Sequence, residues 1–487
     1  MLSRNSLFAA ILGIAAIASP ALADVKLHSL FTENMVIQRD QPITVWGTAA
    51  PQEKVAVSIL DGKTEVGKAE ATATEKGTWS VELPKVSKPG TEYSLTITGK
   101  NKIVIGSVAV GDVWLCSGQS NMEWRVNQLK IDDQGKKVAE KAANPMIRLF
   151  DVSNKTAAEP QKDVVGKWQK CTPESVINFS AVGYFFGRDI EASQKVPIGL
   201  LASDWGGTPA EAWTSTEKLT AVPELKHYTD RREAAIKAAG EKAIGPGVPS
   251  SLYNGMIAPL LPFKIKGAIW YQGESNASRA AEYRTLFTSM IEDWRKQWGY
   301  DFPFLLVQLA PFRGGGSGVD YAELRDAQTF STKKLKNVGM AVITDAGHET
   351  DIHPQKKEPA GVRLALAARA LAYGEKIEFS GPEFESIKIE GNKAVLSFSH
   401  IGKGLDVKGE TLTGFSLCGE DKKFYPAKAE IKGDSVVLTS EMVTTPIAAR
   451  YGWVNFAKPE LNFFNKDGLP AVPFRTDDFP LTTAPKK

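Results

Sequence analysis

The sequence predicts an α/β protein, with a mainly parallel sheet covered by helices on both faces and an all-β module on either side of it. Three observations carry that reading. Short extended segments punctuated by Gly, Pro and Asp-Gly run to about Ser107, apolar runs alternating with helical patterns follow from Val108 to Gly374, and the β rhythm then returns. The 487 residues suffice for about three domains. They divide as a leader at 1–23, an N-terminal β module at 24–107, the α/β region at 108–375 and a C-terminal β module at 376–487.

The leader comes first. Arg4 precedes an apolar stretch from Leu7 to Ala18, and Ala21-Leu22-Ala23 offers the small residues that a signal peptidase needs. This predicts a cleaved export signal, a periplasmic or secreted protein, and no membrane anchor after cleavage. The N-terminal module is predicted from Ile43 to Gly47, Val55 to Leu60 and Thr78 to Leu83, with a hairpin turn at Asp61-Gly62. The α/β region supplies candidate strands at Val108–Cys116, Ile147–Val152, Ile198–Ser203, Ile265–Tyr271, Phe304–Leu309 and Val338–Thr344. Between Ala281 and Trp298 apolar residues recur every three or four positions, the mark of an amphipathic helix, and Val362–Tyr373 is a second helix closed by Gly374. Ala394–His400, Gly414–Leu417 and a hairpin turning at Gly433-Asp434 build the last module, and the Pro- and Phe-rich tail from Pro459 to Pro480 shows little period.

Composition narrows the function classes. Hydrophobic residues make up 43% and charged ones 24%, the balance of a folded globular chain. Lys+Arg 59 against Asp+Glu 56, with no long basic run, gives no track for phosphates and argues against nucleic-acid binding. Cys116, Cys171 and Cys418 form no CxxC pair; three thiols permit one disulfide, though small buried apolar residues are the simpler reading.

In an open parallel sheet the ligand site lies beyond the carboxyl ends of the strands, so chemistry is sought there. The first candidate strand runs into Ser117-Gly118-Gln119-Ser120-Asn121-Met122, which puts Ser120 on a tight turn entering a helix. Such a serine is either a helix cap or a nucleophile beside backbone N–H groups able to stabilise negative charge. A nucleophile needs a base, and the chain has five histidines. His28 and His400 fall in the β modules and His227 in a charged stretch, which leaves His348 and His353 after the last strand. Asp351, two residues before His353, is close enough to orient an imidazole. Two more strand ends carry polar turns: Asp204-Trp205-Gly206-Gly207-Thr208, where glycine lets a backbone N–H approach a substrate, and Gln272-Gly273-Glu274-Ser275-Asn276, whose amides could serve an oxyanion.

These motifs resemble the SGNH hydrolases and, within them, the sialate O-acetylesterase family. The matching text is Gly111 to Trp124, the turn 204–208, Ser251 to Met256, Trp270 to Asn276 and Asp351 to Pro354, with further likeness at Arg450 to Trp453 and from Gly468 to Asp477. The resemblance implies an SGNH-type, flavodoxin-like sheet and a serine esterase acting on an O-acetylated saccharide, with no metal or organic cofactor. It implies Ser120 as nucleophile, His353 as general base and Asp351 as orienting carboxylate. The oxyanion hole it implies is made of the Ser120 and Gly207 N–H groups and the Gln272 amide. The wider superfamily has Gly-x-Asn and Asp-x-x-His where this chain has Gln272-Gly-Glu274 and Asp-x-His, so Asn276 and Glu274 stand as rivals, and Asn254 as a support or substrate residue. Sialic acid, xylan and xyloglucan esters all fit such a site.

Two other classes compete. A metallohydrolase could use His348, Glu349, Asp351 and His353, although Pro354 forbids a helical metal-binding face. Two β modules and 11 Trp residues would also suit a glycan-binding protein without catalysis.

Overall fold

One 17-residue strand, β1 (Lys102–Gly118), ties the molecule together in the computed structural model, which describes residues 24–240, 244–314 and 316–485. The export signal read at 1–23 lies outside the described residues. The first half of β1 pairs antiparallel with Gly90–Thr98 of the N-terminal module. Its second half is buried throughout, and from Trp114 onward it has parallel neighbours on both sides. The strand that the sequence suggested from Val108 therefore begins at Lys102, and the N-terminal module passes into the α/β layer with no linker.

The remaining strands of that layer are β2 (Asn144–Asp151), β3 (Trp168–Cys171), β4 (Ile198–Asp204), β5 (Gly267–Tyr271), β6 (Phe304–Val307) and β7 (Val338–Ala341). They lie in the order β3-β2-β4-β1-β5-β6-β7, all parallel except the edge strand β3. Strands of the N-terminal module continue the same large mixed sheet.

Alternation along the strands feeds two cores. Trp114 and Cys116 of β1 enter one, with Leu200 of β4 and Ile269 of β5; Val113 and Leu115 enter the other, with Leu201 and Trp270. The first core is closed by α1 (Ala181–Gln194) and α4 (Glu358–Leu371), the second by α2 (Ala280–Trp298) and α3 (Asp320–Lys334). Helix α4 starts four residues earlier than the sequence suggested, because Pro359 sits in its first turn, where a missing N–H is harmless. Strand β7 ends at Ala341 although Val342 and Ile343 stay buried, since β6 stops at Val307 and offers no further ladder. Trp114, Trp213, Trp270 and Trp294 are fully buried, so these indoles serve packing. The three cysteines are buried and free. Among the described residues no helix is long and apolar enough to cross a membrane.

The C-terminal module contains two four-stranded sheets and a two-stranded ribbon. Its tail holds two strands that the sequence did not reveal, Phe463–Asn465 and Phe474–Arg475, each too short to show a period. Their aromatic rings fill the module's core, with Phe474 stacked on Phe384 at 4.7 Å.

The module is docked through a buried guanidinium. Arg325 of α3 donates to Leu309 O at 2.8 Å, Val454 O at 2.9 Å and Asn455 O at 2.8 Å. Asn455 in turn accepts from Tyr321 N. Replacing Arg325 by Leu leaves three carbonyls without that donor and is expected to lower unfolding stability by about 3 kcal/mol. Chemical denaturation checks this, and a loss below about 1 kcal/mol would show that the docking rests on other contacts.

Candidate active site

Register brings the chemistry to one edge. Gly118 of β1 lies level with Asp204 of β4 and Tyr271 of β5, so three turns leave the sheet side by side. At Gly118, φ is +143° and an added Cβ would lie 2.2 Å from Tyr271 O, so only glycine lets β1 turn this sharply under β5. Gln119 N donates to the same Tyr271 O at 3.0 Å, and the short helix Ser120–Glu123 starts with Ser120 half-buried at its first residue.

The last motif reaches over this turn from beyond β7. His353 Nε2 lies 2.9 Å from Ser120 Oγ, which is hydrogen-bonding distance. Trp124 stacks on the imidazole at 4.7 Å between centroids and fixes the ring plane. Burial pushes the His353 imidazole below its ordinary value, the Lys357 charge lowers it further and Asp351 opposes both. This environment favours the neutral ring, the form able to accept a proton.

Asp351 sits less tightly than the sequence suggested. Its Oδ1 accepts the His353 backbone N–H at 2.8 Å but stays 4.0 Å from Nδ1, with 49% of the side chain exposed. It shapes the loop and acts on the ring by charge rather than through a hydrogen bond. His348 is exposed and accepts the Asp351 N–H at 3.0 Å, which makes it a loop support. The other three histidines face carboxylates elsewhere: His28 with Asp163, His227 with Glu282 and His400 with Glu378. Among the described residues no three His, Cys, Asp or Glu side chains converge into a metal-ligating group.

The neighbouring turns are locked to the serine turn. Trp205 N donates to Gly118 O at 3.2 Å, and Gly206 N to Glu123 Oε2 at 2.7 Å. A Cβ on Gly206 would stand 3.3 Å from Ser120 Cβ, so this backbone lies against the Ser120 turn. Gly207 follows, exposed and at φ +75°. Gln119 Oε1 accepts from Gly273 N at 3.4 Å and Ser275 N at 3.3 Å, which joins the first and fourth motifs.

A profile of the family described as carbohydrate esterase, sialic acid-specific acetylesterase, matches residues 110–370. The chain belongs to that family. The esterase is 33% identical over 491 residues to the human sialate O-acetylesterase, covering 92% of each chain. It is 30% identical to the mouse sialate O-acetylesterase, covering 97% of this chain and 98% of the other. Among solved structures, a carbohydrate acetylesterase from Xanthomonas citri is similar at TM-score 0.84 and 40% identity, over 93% of this chain and all of that one. A carboxylic ester hydrolase thus replaces the alternative of a non-catalytic glycan binder.

Within the esterase, the Gln272 amide expected at the oxyanion hole is engaged by protein partners. Gln272 is fully buried, its Nε2 donates to Asn276 Oδ1 at 2.7 Å and Thr208 O at 3.3 Å, and its Oε1 accepts from Tyr283 at 2.9 Å. Both amide hydrogens are committed. Asn276 is buried too, accepting from Ala210 N at 2.9 Å and donating to Glu211 Oε2 at 2.9 Å, while Glu211 is held by Arg231 and Arg279. These amides form a scaffold under the turns. Asn254 is also a scaffold residue, donating to Ala157 O and Ala158 O.

Sequence reasoning missed Glu123, Trp124 and Lys357. The first two lie inside the quoted first motif and Lys357 lies four residues after His353, but their roles depend on partners brought by folding. Lys357 is 1% exposed and donates to Asn121 Oδ1, while Asn121 Nδ2 donates to Glu274 Oε1 and, at 3.1 Å, to Ile352 O. Burial pushes Lys357 down to about 7, with Glu274 and Asp351 opposing. Burial likewise raises the Glu274 carboxyl.

The scaffold reading of Gln272 has a measurable consequence. Gln272→Ala takes one hydrogen-bond partner from each of three buried groups, Asn276 Oδ1, Thr208 O and the Tyr283 hydroxyl, and should cost about 2 kcal/mol of stability along with activity. An unfolding midpoint equal to wild type, combined with a kcat about 10²-fold lower, would return Gln272 to the oxyanion hole.

Proposed function

We propose that the chain is a periplasmic or secreted sialate O-acetylesterase that works by serine catalysis in an SGNH-type site. The observation that carries the mechanism is the 2.9 Å contact between Ser120 Oγ and His353 Nε2 at the carboxyl end of the sheet. The sialate assignment rests on the curated relatives, and the location on the leader sequence.

Neutral His353 accepts the Ser120 proton as Oγ attacks the acetyl carbonyl. The Ser120 and Gly207 N–H groups face the developing oxyanion; neither donates to another protein group among the described residues. The imidazolium, favoured by Asp351, then gives its proton to the departing sugar oxygen, leaving acetyl-Ser120. Water deprotonated by His353 attacks this ester, and acetic acid leaves as the proton on His353 passes to Ser120 Oγ. The sum is ester and water to alcohol and acetic acid.

Ser120→Ala and His353→Ala are each expected to reduce acetate release about 10³-fold or more in folded enzyme. Asp351→Asn, altering a half-exposed carboxylate at 4.0 Å, should cost only about 10-fold, and His348→Ala less. If His348→Ala were as damaging as His353→Ala, the base would be misassigned.

Because burial and Lys357 lower His353, the neutral form persists into mild acid. The acid limb of kcat/KM is expected to fall through an apparent pKa below 6.5, the ordinary imidazole value. A limb at or above 6.5 contradicts the described environment.

The substrate is tested by acetate release from O-acetylated sialosides, xylo-oligosaccharides and xyloglucan fragments. The highest kcat/KM is expected on the sialosides. A clear preference for either plant glycan would overturn the sialate assignment and leave the serine mechanism standing.

A further inference from the structure

Beneath the Ser120–His353 pair lies a buried polar cluster that the reaction does not consume. Asn121 is its centre. It follows the nucleophile directly, and its amide reaches Ile352 O, the carbonyl just before the histidine. One side chain thus bridges two turns that are far apart in sequence. Asn121 cannot hold that orientation by itself, because its carbonyl oxygen needs a donor, and Lys357 supplies it from the start of α4. The amide end is held from the other side by Glu274 Oε1.

The charges around Lys357 come from each element packed on it. Glu274 approaches from the turn after β5, and Asp351 and His353 from the loop after β7. The Tyr271 ring lies 5.8 Å from Nζ and the Trp124 ring 5.3 Å away. Trp124 is the ring stacked on His353, so the ammonium and the imidazole share one aromatic neighbour. A buried lysine with a single hydrogen-bonded neutral partner carries a desolvation cost that packing alone would avoid by using methionine. Its charge therefore calls for a function.

We propose that Lys357 is a positioning residue of this esterase, which holds Asn121 so that the nucleophile turn and the histidine loop stay in register, and whose ammonium opposes protonation of the His353 ring. The inference rests on His353 being the base. It gives Lys357 two separable effects. The hydrogen bond through Asn121 sets how well Ser120 and His353 are aligned, which appears in kcat. The charge disfavours imidazolium in the resting enzyme, which appears in the acid limb of the pH profile. The pull is partly balanced by Asp351, which favours the imidazolium.

Three full-length variants separate the effects. Lys357→Gln keeps an N–H donor for Asn121 and removes the charge; its acid limb of kcat/KM is expected to move to higher pH by about half a unit or more. Lys357→Arg keeps the charge and should leave the limb at the wild-type position, even where the larger head group lowers kcat. Asn121→Ala keeps the charge and breaks the tie, so kcat should drop about 10-fold or more with KM changed less than about threefold and the limb in place. An unmoved limb in folded Lys357→Gln overturns the electrostatic half, and normal kcat in Asn121→Ala overturns the positioning half. Should Lys357→Gln fail to give a cooperative thermal transition, Asn121→Ala still decides the second point and Lys357→Arg the first, since a limb displaced in Lys357→Arg contradicts control by charge. His353→Ala is run beside them. An active His353→Ala enzyme removes the base assignment itself, whereas an inactive one with an unmoved Lys357→Gln limb removes only the present proposal.

Discussion

The candidate site of this esterase is built on a hydrogen bond between residues 233 positions apart, Ser120 Oγ to His353 Nε2 at 2.9 Å. Neither residue could hold it from a flexible loop. Ser120 is fixed because β1 is buried between β4 and β5 up to Gly118, and because that glycine permits a turn that a side chain would block. His353 is fixed by Trp124 stacking on its face and by Asn121 holding the preceding carbonyl. The parallel sheet is thus the device that makes a long-range contact rigid, and a rigid contact is what proton transfer during attack requires.

Around this contact the polar groups divide by burial. Gln272, Asn276 and Glu211 are buried and joined to one another by hydrogen bonds, and they hold the turns in place. Asp351 is half-exposed and acts by charge across 4.0 Å. Water screens the carboxylate, so its pull on His353 is weaker than the combined effect of burial and Lys357, and the balance favours the neutral imidazole. Glu123 performs the matching task for the second turn, fixing Gly206 against Ser120 through a 2.7 Å bond.

Much of this was legible in the sequence, for reasons that vary by element. The alternation of apolar runs and amphipathic helices announced the α/β layer, and the rule that ligands bind beyond strand ends pointed to Ser120 and the loop of His353. The short strands Phe463–Asn465 and Phe474–Arg475 were hidden because two or three residues carry no period. Gln272 shows a deeper limit. Its place at the end of β5 could be read, yet whether its amide faces substrate or Asn276 is decided by Tyr283 from α2 and Thr208 from another turn. Lys357 was passed over for the same reason: a lysine in a polar loop reads as solvated, and only the fold encloses it between Asn121, Tyr271 and Trp124.

Covalent catalysis at Ser120 is tested by trapping the acetyl-enzyme. Wild-type enzyme is mixed with an aryl acetate, quenched in acid within the first turnover and digested for peptide mass spectrometry. A burst of phenol is expected, with one acetyl group on the peptide that carries Ser120. A burst-free time course with no acetylated Ser120 peptide, from an enzyme that turns over normally, would contradict it.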